Sequence, residues 1–161
     1  MADTILQKIV ERGHYKFVDR VDSWQDAVRL STESLVETGY VSENYYKQIV
    51  DCIEKYGPYV VFDHYVAMPH SQEGAEGAEK TAVGFMRVKE DVDFGKDEDG
   101  EQKIARLFFT LAAKDPNEHL DNMQQLMAIF TNEPLLDALM AANTPEDILK
   151  AEADYPPEED L

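Results

Sequence analysis

The sequence has one cysteine, few basic residues and no apolar run near the roughly 20 residues that a membrane span needs. A single cysteine, Cys52, excludes an internal disulfide and fits a reducing compartment. Only 15 lysines and arginines stand against 33 acidic residues, so the formal net charge is −18. Such a chain repels a phosphate backbone, which excludes nucleic acid as an expected partner. The first residues also lack the pattern of a signal peptide, and we predict a soluble, cytoplasmic protein.

What the chain does contain is enough apolar surface for one core. It has 161 residues, of which 43% are apolar or aromatic, and this size fits a single domain. Predicted helices alternate with predicted strands, which indicates an α/β fold: a single-domain sandwich with a mixed β-sheet flanked by helices. We place the domain at residues 1–152 and an acidic, proline-bearing tail at residues 153–161.

Apolar spacing and capping residues predict the individual elements. Helices are expected over Asp3–Glu11, after the caps Ser23, Ser42, Asp115 and Thr144, and from Glu133. Strands are expected at His14–Val18, Tyr59–Phe62, Thr81–Val88, Val92–Gly95 (an edge piece) and, centrally, Ile104–Ala113. The buried face of the helix after Asp115 is predicted to hold Leu120, Met123, Leu126, Met127 and Phe130. Residues 96–101 predict a solvated acidic turn without metal, because their spacing lacks the calcium-binding series. We read His14 as a half-exposed residue.

The stretch Ala67-Met68-Pro69-His70 is the first candidate for chemistry. Pro69 should end the buried strand that begins at Tyr59, because proline lacks an amide hydrogen and restricts the residue before it. His70 then begins a segment rich in Gly, Ala and Glu that predicts a loop over residues 71–79. A histidine at a strand exit lies at a rim, where its imidazole can act as a nucleophile and carry a phosphoryl group. A Pro-His pair alone is more often structural, so this interpretation needs a second histidine.

His119 is that second histidine. It falls in the first turn of the helix capped by Asp115, where free backbone amides and the positive end of the helix dipole favour anions. If the two preceding strands end at the same edge of the sheet, His70 can attack a phosphorus atom while His119 steadies the negative charge. The alternative is that His119 only helps to cap its own helix. No metal or cofactor is required by this chemistry.

A family resemblance follows from an ordered set of motifs that spans almost the whole chain. They are Trp24 with Ala27, Tyr45, Tyr56-Gly57-Pro58-Tyr59-Val60-Val61, Ala67-Met68-Pro69-His70, Lys80-Thr81, Val92-Asp93-Phe94-Gly95, Leu111-Ala112-Ala113-Lys114-Asp115 and His119-Leu120. With these motifs the chain resembles an enzyme IIA domain (EIIA type 2) of the bacterial phosphoenolpyruvate-dependent sugar phosphotransferase system (PTS). It is of the mannitol/fructose type and most like the L-ascorbate-specific branch.

The resemblance implies a role, partners and site residues. The phosphocarrier HPr would donate a phosphoryl group to His70, making it a phosphohistidine, and His119 matches the family's second active-site histidine. A cysteine of a separate IIB component would accept the group for sugar uptake, which involves the membrane component IIC indirectly. Surface apolar residues around His70, among them Val66 and Met68, would form the docking face.

The chain also departs from the family pattern around its active histidine. His64-Tyr65 stand where Pro-Gly is usual, and Ser71 and Gln72 replace the common residues after the histidine. His64 is read as a sheet-edge residue, with a third pocket histidine as the alternative. These departures leave open which sugar is served, and a homodimer is compatible with the sequence. Two other functions also stay open: a regulatory IIA paralogue and a non-catalytic protein-interaction domain.

Overall fold

The computed structural model describes residues 4–62, 64–70 and 79–157. The helices are α1 (Ile5–Arg12), α2 (Trp24–Glu37), α3 (Tyr45–Tyr56), α4 (Pro116–Phe130), α5 (Glu133–Met140) and α6 (Pro145–Asp154). The strands are β1 (Tyr15–Val18), β2 (Val61–Phe62), β3 (Val66–Ala67), β4 (Ala82–Lys96) and β5 (Gln102–Ala112). In the part of the chain so described, no helix is long and apolar enough to cross a membrane. The loop predicted at residues 71–79 lies outside the described residues, apart from Glu79.

The five strands form one mixed sheet in the order β1-β4-β5-β3-β2. β4 and β5 make a long antiparallel pair at its centre. β1 lies parallel to β4, and β3 lies parallel to β5, while β2 completes the sheet antiparallel to β3. Because β3 and β5 run in the same direction, the residues that follow them leave the sheet at the same edge. The predicted α/β sandwich with a mixed sheet is confirmed.

Two apolar cores lie on the two faces of the sheet, since side chains alternate along each strand. On one face α2 and α3 pack against a core that includes Met86 and Phe108. On the other, α1, α4, α5 and α6 cover a core that includes Phe85 and Phe109. These four side chains are almost fully buried, and burying one of this size stabilises the fold by about 1.5–3 kcal/mol.

Side-chain caps begin several helices where the sequence predicts them. Ser23, Asp115 and Thr144 each accept a hydrogen bond from a first-turn amide, so these predictions are confirmed. The predicted cap at Ser42 is wrong, because a turn separates this residue from α3. The helix begins after Asn44, and Ser42 accepts the Tyr45 amide only through its backbone carbonyl.

The strand predicted to run from Tyr59 to Pro69 is two strands with a reversal between them. β2 and β3 pair antiparallel, and the Met68 amide donates to the Val60 carbonyl at 2.7 Å. The chain turns at His64 and Tyr65, whose φ angles are 64° and 63°. Non-glycine residues seldom adopt this left-handed conformation, so the sequence gives no turn signal here.

The separate edge piece predicted at Val92–Gly95 is wrong, because it belongs to the central strand β4. Val92 pairs with Ala105 and Asp93 pairs with Ile104 on β5. A register shift between Arg87 and Val92 interrupts the strand's regular alternation, which is why a period-two pattern appears to stop there.

Candidate functional site

β3 presents His70 at the sheet edge where β5 also ends. The pairing of these two strands continues beyond the last residue of β3, since the Leu111 amide donates to the Pro69 carbonyl at 2.9 Å. The hydroxyl of buried Tyr45 donates to the Leu111 carbonyl at 2.6 Å. Burial raises the pKa of Tyr45 to about 12, so this donor stays protonated. The backbone just before His70 is therefore tied to a fixed strand end.

His119 lies in the first turn of α4, just after β5. The Asp115 carboxylate accepts the Asn117 amide at 3.0 Å and caps the helix. The Thr81 hydroxyl oxygen accepts the amides of Lys114 and Asp115 at 2.8 and 2.6 Å. These bonds fix the junction between β5 and α4, so the positive end of the α4 dipole faces the edge where β3 ends.

The structure brings the two predicted site histidines close enough to interact electrostatically. Burial is the larger cause that lowers the pKa of His70, and positive charge on His119 lowers it further. The hydrogen bond to Met68 acts in the opposite direction. With its pKa below the ordinary 6.5, His70 is neutral at neutral pH, the form in which imidazole is a nucleophile.

The hydrogen bond of His70 to Met68 also selects its tautomer. The Nδ1 atom lies 2.5 Å from the Met68 carbonyl oxygen. A carbonyl only accepts, so Nδ1 carries the hydrogen and Nε2 of the neutral ring carries a free lone pair. Tyr59 holds the same residue from the other side: its hydroxyl donates to the His70 carbonyl, and the two rings meet edge to face at 5.2 Å.

His119 contributes unused hydrogen-bonding capacity beside His70. Its Nδ1 atom is buried and has no hydrogen-bond partner among the described residues. Leaving a buried polar atom unpaired costs about 1–3 kcal/mol, and such atoms are often explained by a functional role. The unpaired Nδ1 atom therefore marks His119 as a candidate functional residue.

The described ranges, 4–62, 64–70 and 79–157, contain no group of three or more His, Cys, Asp or Glu side chains placed to hold a metal ion. In the acidic turn, the Asp97 carboxylate accepts the amides of Asp99 and Glu101, both at 2.9 Å. That carboxylate stabilises the turn between β4 and β5.

Two further histidines lie apart from this pair. His14, read from sequence as half-exposed, is only 1% exposed, because the end of α2 and Tyr40 cover it. His64 sits in the turn before β3, at the other end of that strand from His70. Its Nε2 atom is 2.8 Å from the Asp137 carboxylate of α5, so it is not a third pocket histidine.

The two residues predicted to form the docking face, Val66 and Met68, do not lie on the surface. Val66 and Met68 are buried, because they point from β3 into the core under α4 and α5. Conversely, Leu120 and Met127, predicted to be buried, are 58% and 41% exposed. Seven residues apart, they share one outward face of α4, while Leu126 is on the buried face. The apolar surface beside His119 is therefore on α4.

Sequence reasoning missed the roles of Tyr59 and Thr81. The sequence predicts Tyr59 only as a strand residue and Thr81 only as the start of a strand. Each stands in a motif that carries the family resemblance, Tyr59 after Gly57-Pro58 and Thr81 after Lys80. The sequence does offer one signal for these roles. Both residues carry a hydroxyl, belong to a family motif and lie next to a strand, and this combination is compatible with a hydrogen-bonding role.

Comparisons with known proteins agree with this geometry. A family model described as "Phosphoenolpyruvate-dependent sugar phosphotransferase system, EIIA 2" matches residues 8–152. The ascorbate-specific PTS system EIIA component of Escherichia coli (strain K12) is 30% identical over 142 residues, 88% of this chain and 90% of the relative. The mannitol-specific cryptic phosphotransferase enzyme IIA of Escherichia coli has a TM-score of 0.79 at 26% identity, covering 94% of this chain and 99% of that one. A chain in the complex of enzyme IIA mannitol and phosphorylated enzyme IIB mannitol from Escherichia coli has a TM-score of 0.69 at 28% identity, covering 86% and 94%.

Proposed function

Because the chain belongs to the EIIA 2 family of the phosphoenolpyruvate-dependent sugar phosphotransferase system, we propose that it receives a phosphoryl group from HPr on His70. EIIA components are phosphotransferase phosphocarriers, and this chain is a component of that kind. In the proposal, the group passes from His70 to a cysteine of a IIB component. The supporting observation is the free Nε2 of a neutral His70, placed beside His119 at one sheet edge.

The transfer needs only the lone pair that this tautomer leaves free. Nε2 of His70 attacks phosphorus, the bond from phosphorus to the donor atom of HPr breaks, and its electron pair stays on that atom. The Nδ1 hydrogen remains bonded to the Met68 carbonyl and disperses the positive charge that the ring acquires. In the second step the IIB thiolate attacks the same phosphorus, the N–P bond breaks, and Nε2 regains its lone pair.

His119 stabilises charge on the transferring group in this mechanism. Phosphoryl transfer spreads negative charge over three oxygens, and catalysis depends on positioning and on donors fixed in advance. The ring of His119 is half-buried beside His70, on a helix end whose dipole is positive. The tight β5–α4 junction holds it there without further reorganisation.

The docking surface in this proposal is the outward face of α4. Leu120 and Met127 offer apolar contact next to His119, and the net charge of −18 favours a donor that presents basic residues. The phosphocarrier domain spans residues 1–152, and residues 153–161 are an acidic extension outside the transfer.

Relatives supply the proposed acceptor and sugar. One solved neighbour is a complex of a mannitol IIA with its phosphorylated IIB, which supports a IIB chain as acceptor. The 30% identity with an ascorbate-specific component supports a carbohydrate such as L-ascorbate as the transported compound.

Intact-mass analysis after incubation with phosphoenolpyruvate, enzyme I and HPr tests the carrier residue. The wild type should gain one acid-labile phosphoryl group, His70→Ala should gain none, and His64→Ala, as the matched control, should behave as the wild type. Equal labelling of the wild type and His70→Ala would place the group on another histidine. An unmodified wild type, with HPr active toward a control IIA, would sink the proposal and favour a non-catalytic interaction domain.

A further inference from the structure

Three cations surround one cavity on the other side of the β5–α4 junction from β3. The cavity has a volume of about 320 Å³ and is lined by Arg12, Lys80, Lys114 and the ring of Tyr40. Its size is within the range of small-ligand sites. In a chain with more than twice as many acidic as basic residues, such a cluster is a local concentration of positive charge.

None of these three cations is in an ion pair with a carboxylate of the described residues. Across the described part of the chain, lysines and arginines such as Lys16 and Lys103 form ion pairs, but Arg12, Lys80 and Lys114 form none within 4.0 Å. The same lining holds two carboxylates, Asp115 and Glu118, so the three cations leave an excess of one positive charge at the cavity. A bound anion compensates this excess and reduces the repulsion among the cations.

The ring of Tyr40 lies close to two of these three cations. The guanidinium carbon of Arg12 lies 5.9 Å, and the Lys80 ammonium nitrogen 5.0 Å, from the centroid of its ring. The ring itself rests edge to face on buried His14 at 4.6 Å. Cation–π attraction to this ring holds both charges at the cavity wall.

Hydrogen bonds also fix the backbone that carries Lys80 and Lys114. The Tyr40 carbonyl accepts the amides of Glu79 and Lys80 at 2.8 and 3.2 Å. The Thr81 hydroxyl oxygen holds the amide of Lys114. A site built on fixed backbone has less conformational entropy to lose when a ligand binds.

We infer that Arg12, Lys80 and Lys114 form a binding site for a small oxyanion of the phosphate class, separate from the His70 site. Two carboxylates also line the cavity, Asp115 and Glu118. Asp115 already caps α4 through Asn117. Glu118 can accept the P–OH hydrogen of hydrogen phosphate, whereas sulfate has no such hydrogen at neutral pH. The site therefore prefers phosphate to sulfate of equal charge.

The test is an NMR titration of the unphosphorylated protein, without HPr, at constant ionic strength. Separate titrations use sodium phosphate, sodium sulfate and glycerol 3-phosphate. We expect saturable shifts of the amides of residues 80, 81 and 114 with phosphate, and at least tenfold weaker binding in Lys80→Gln and Lys114→Gln. Lys47→Gln, which removes the same charge from α3, should bind as the wild type does.

Each outcome decides the matter. Phosphate binding that depends on Lys80 and Lys114 supports the inference. Glycerol 3-phosphate, whose dianion at neutral pH has no P–OH hydrogen, should bind as weakly as sulfate, and its binding as tightly as phosphate would overturn the inference. No saturable shift, equal binding of sulfate, or equal weakening by Lys47→Gln overturns the inference. Lys80→Arg keeps the charge and should retain binding. Together with unchanged thermal unfolding of all variants, this result excludes loss of fold as the cause of weaker binding in the Gln variants. Because no donor protein is present, failure here leaves the phosphorylation of His70 unaffected.

Discussion

The Nδ1 atom of His70 donates to the carbonyl oxygen of Met68, only two residues earlier in the chain. This short local contact decides which ring nitrogen is available for chemistry. We predict that the phosphoryl group of the modified protein sits on Nε2 of His70, because Nδ1 already carries a bonded hydrogen. Nitrogen and phosphorus NMR of the phosphorylated, ¹⁵N-labelled protein distinguishes the two isomers. A signal from Nδ1-phosphohistidine would contradict the tautomer assignment.

Removing His119 should change His70 in two measurable ways. Positive charge on His119 is one of the causes that lower the pKa of His70, so His119→Gln should raise the pKa of His70 as followed by NMR. Loss of one fixed charge-stabilising group should also slow phosphorylation roughly 10²–10³-fold. A variant with an unchanged rate and an unchanged His70 pKa would show that His119 serves only its own helix.

His14 should make stability depend on pH. Burial, with a smaller effect of Arg12, lowers the pKa of His14 from 6.5 to about 4. The folded state thus resists protonation: its stability is complete above pH 6.5 and falls as the pH drops toward 4, by about 3 kcal/mol over that range. Urea unfolding at several pH values measures the loss. Carboxylates also change the stability over this pH range, but they do so equally in the wild type and in His14→Gln. Subtracting the free energy of unfolding of the variant from that of the wild type at each pH therefore isolates the contribution of His14. If the two proteins lost stability equally with falling pH, the prediction would be contradicted.

Thr81 should stabilise the β5–α4 junction through its hydroxyl. Thr81→Val keeps the shape of the side chain but leaves the amides of Lys114 and Asp115 without their acceptor. We expect a loss of about 1–3 kcal/mol in the free energy of unfolding, measured by urea denaturation. Thr81→Ser retains the oxygen and is the control, which should lose much less. Equal losses in the two variants would indicate that the methyl group is what matters.

The outward face of α4 should matter for partners and not for folding. Leu120 is 58% exposed, so Leu120→Ser should leave the thermal midpoint nearly unchanged. If α4 is the docking surface, the KM for HPr should rise several-fold while the rate at saturation is kept. Leu149→Ser, on α6, removes a comparable apolar side chain away from His119 and is the control. Equal effects of both substitutions on KM would locate docking elsewhere.

Local signals were sufficient to predict much of the fold from sequence. Helix caps such as Ser23 and Asp115 act on amides within three residues, and the apolar run that forms β5 is long and uninterrupted. The arrangement of the sheet is different in kind. β3 and β5 are parallel neighbours, and this places His70 near His119. Their pairing joins segments that are distant in sequence, and the periodicity of each segment does not reveal its partner.

The errors at the site have the same origin. Apolar residues such as Leu120 and Val66 can face the core or the solvent, and which of the two depends on neighbours that are distant in sequence. The sequence therefore predicts Leu120 inside and Val66 outside, whereas the fold places them the other way round. The left-handed pair at His64 and Tyr65 has no glycine to announce it. The hydrogen bonds of Tyr59 and Thr81 join residues that only the complete fold brings together.

The parallel pairing of β3 with β5 also bears on how the chain folds. The β4–β5 hairpin closes through a short turn, whereas Val66 must find Leu107 across the length of that hairpin and the loop before it. Closing longer loops costs more chain entropy, so we expect the hairpin to form early and β3 to dock on it later. The Leu111 amide, bonded to the Pro69 carbonyl, then gains protection from hydrogen exchange only in that final step. A nascent or partly folded chain would hold both histidines but no site, and would take no phosphoryl group before folding is complete.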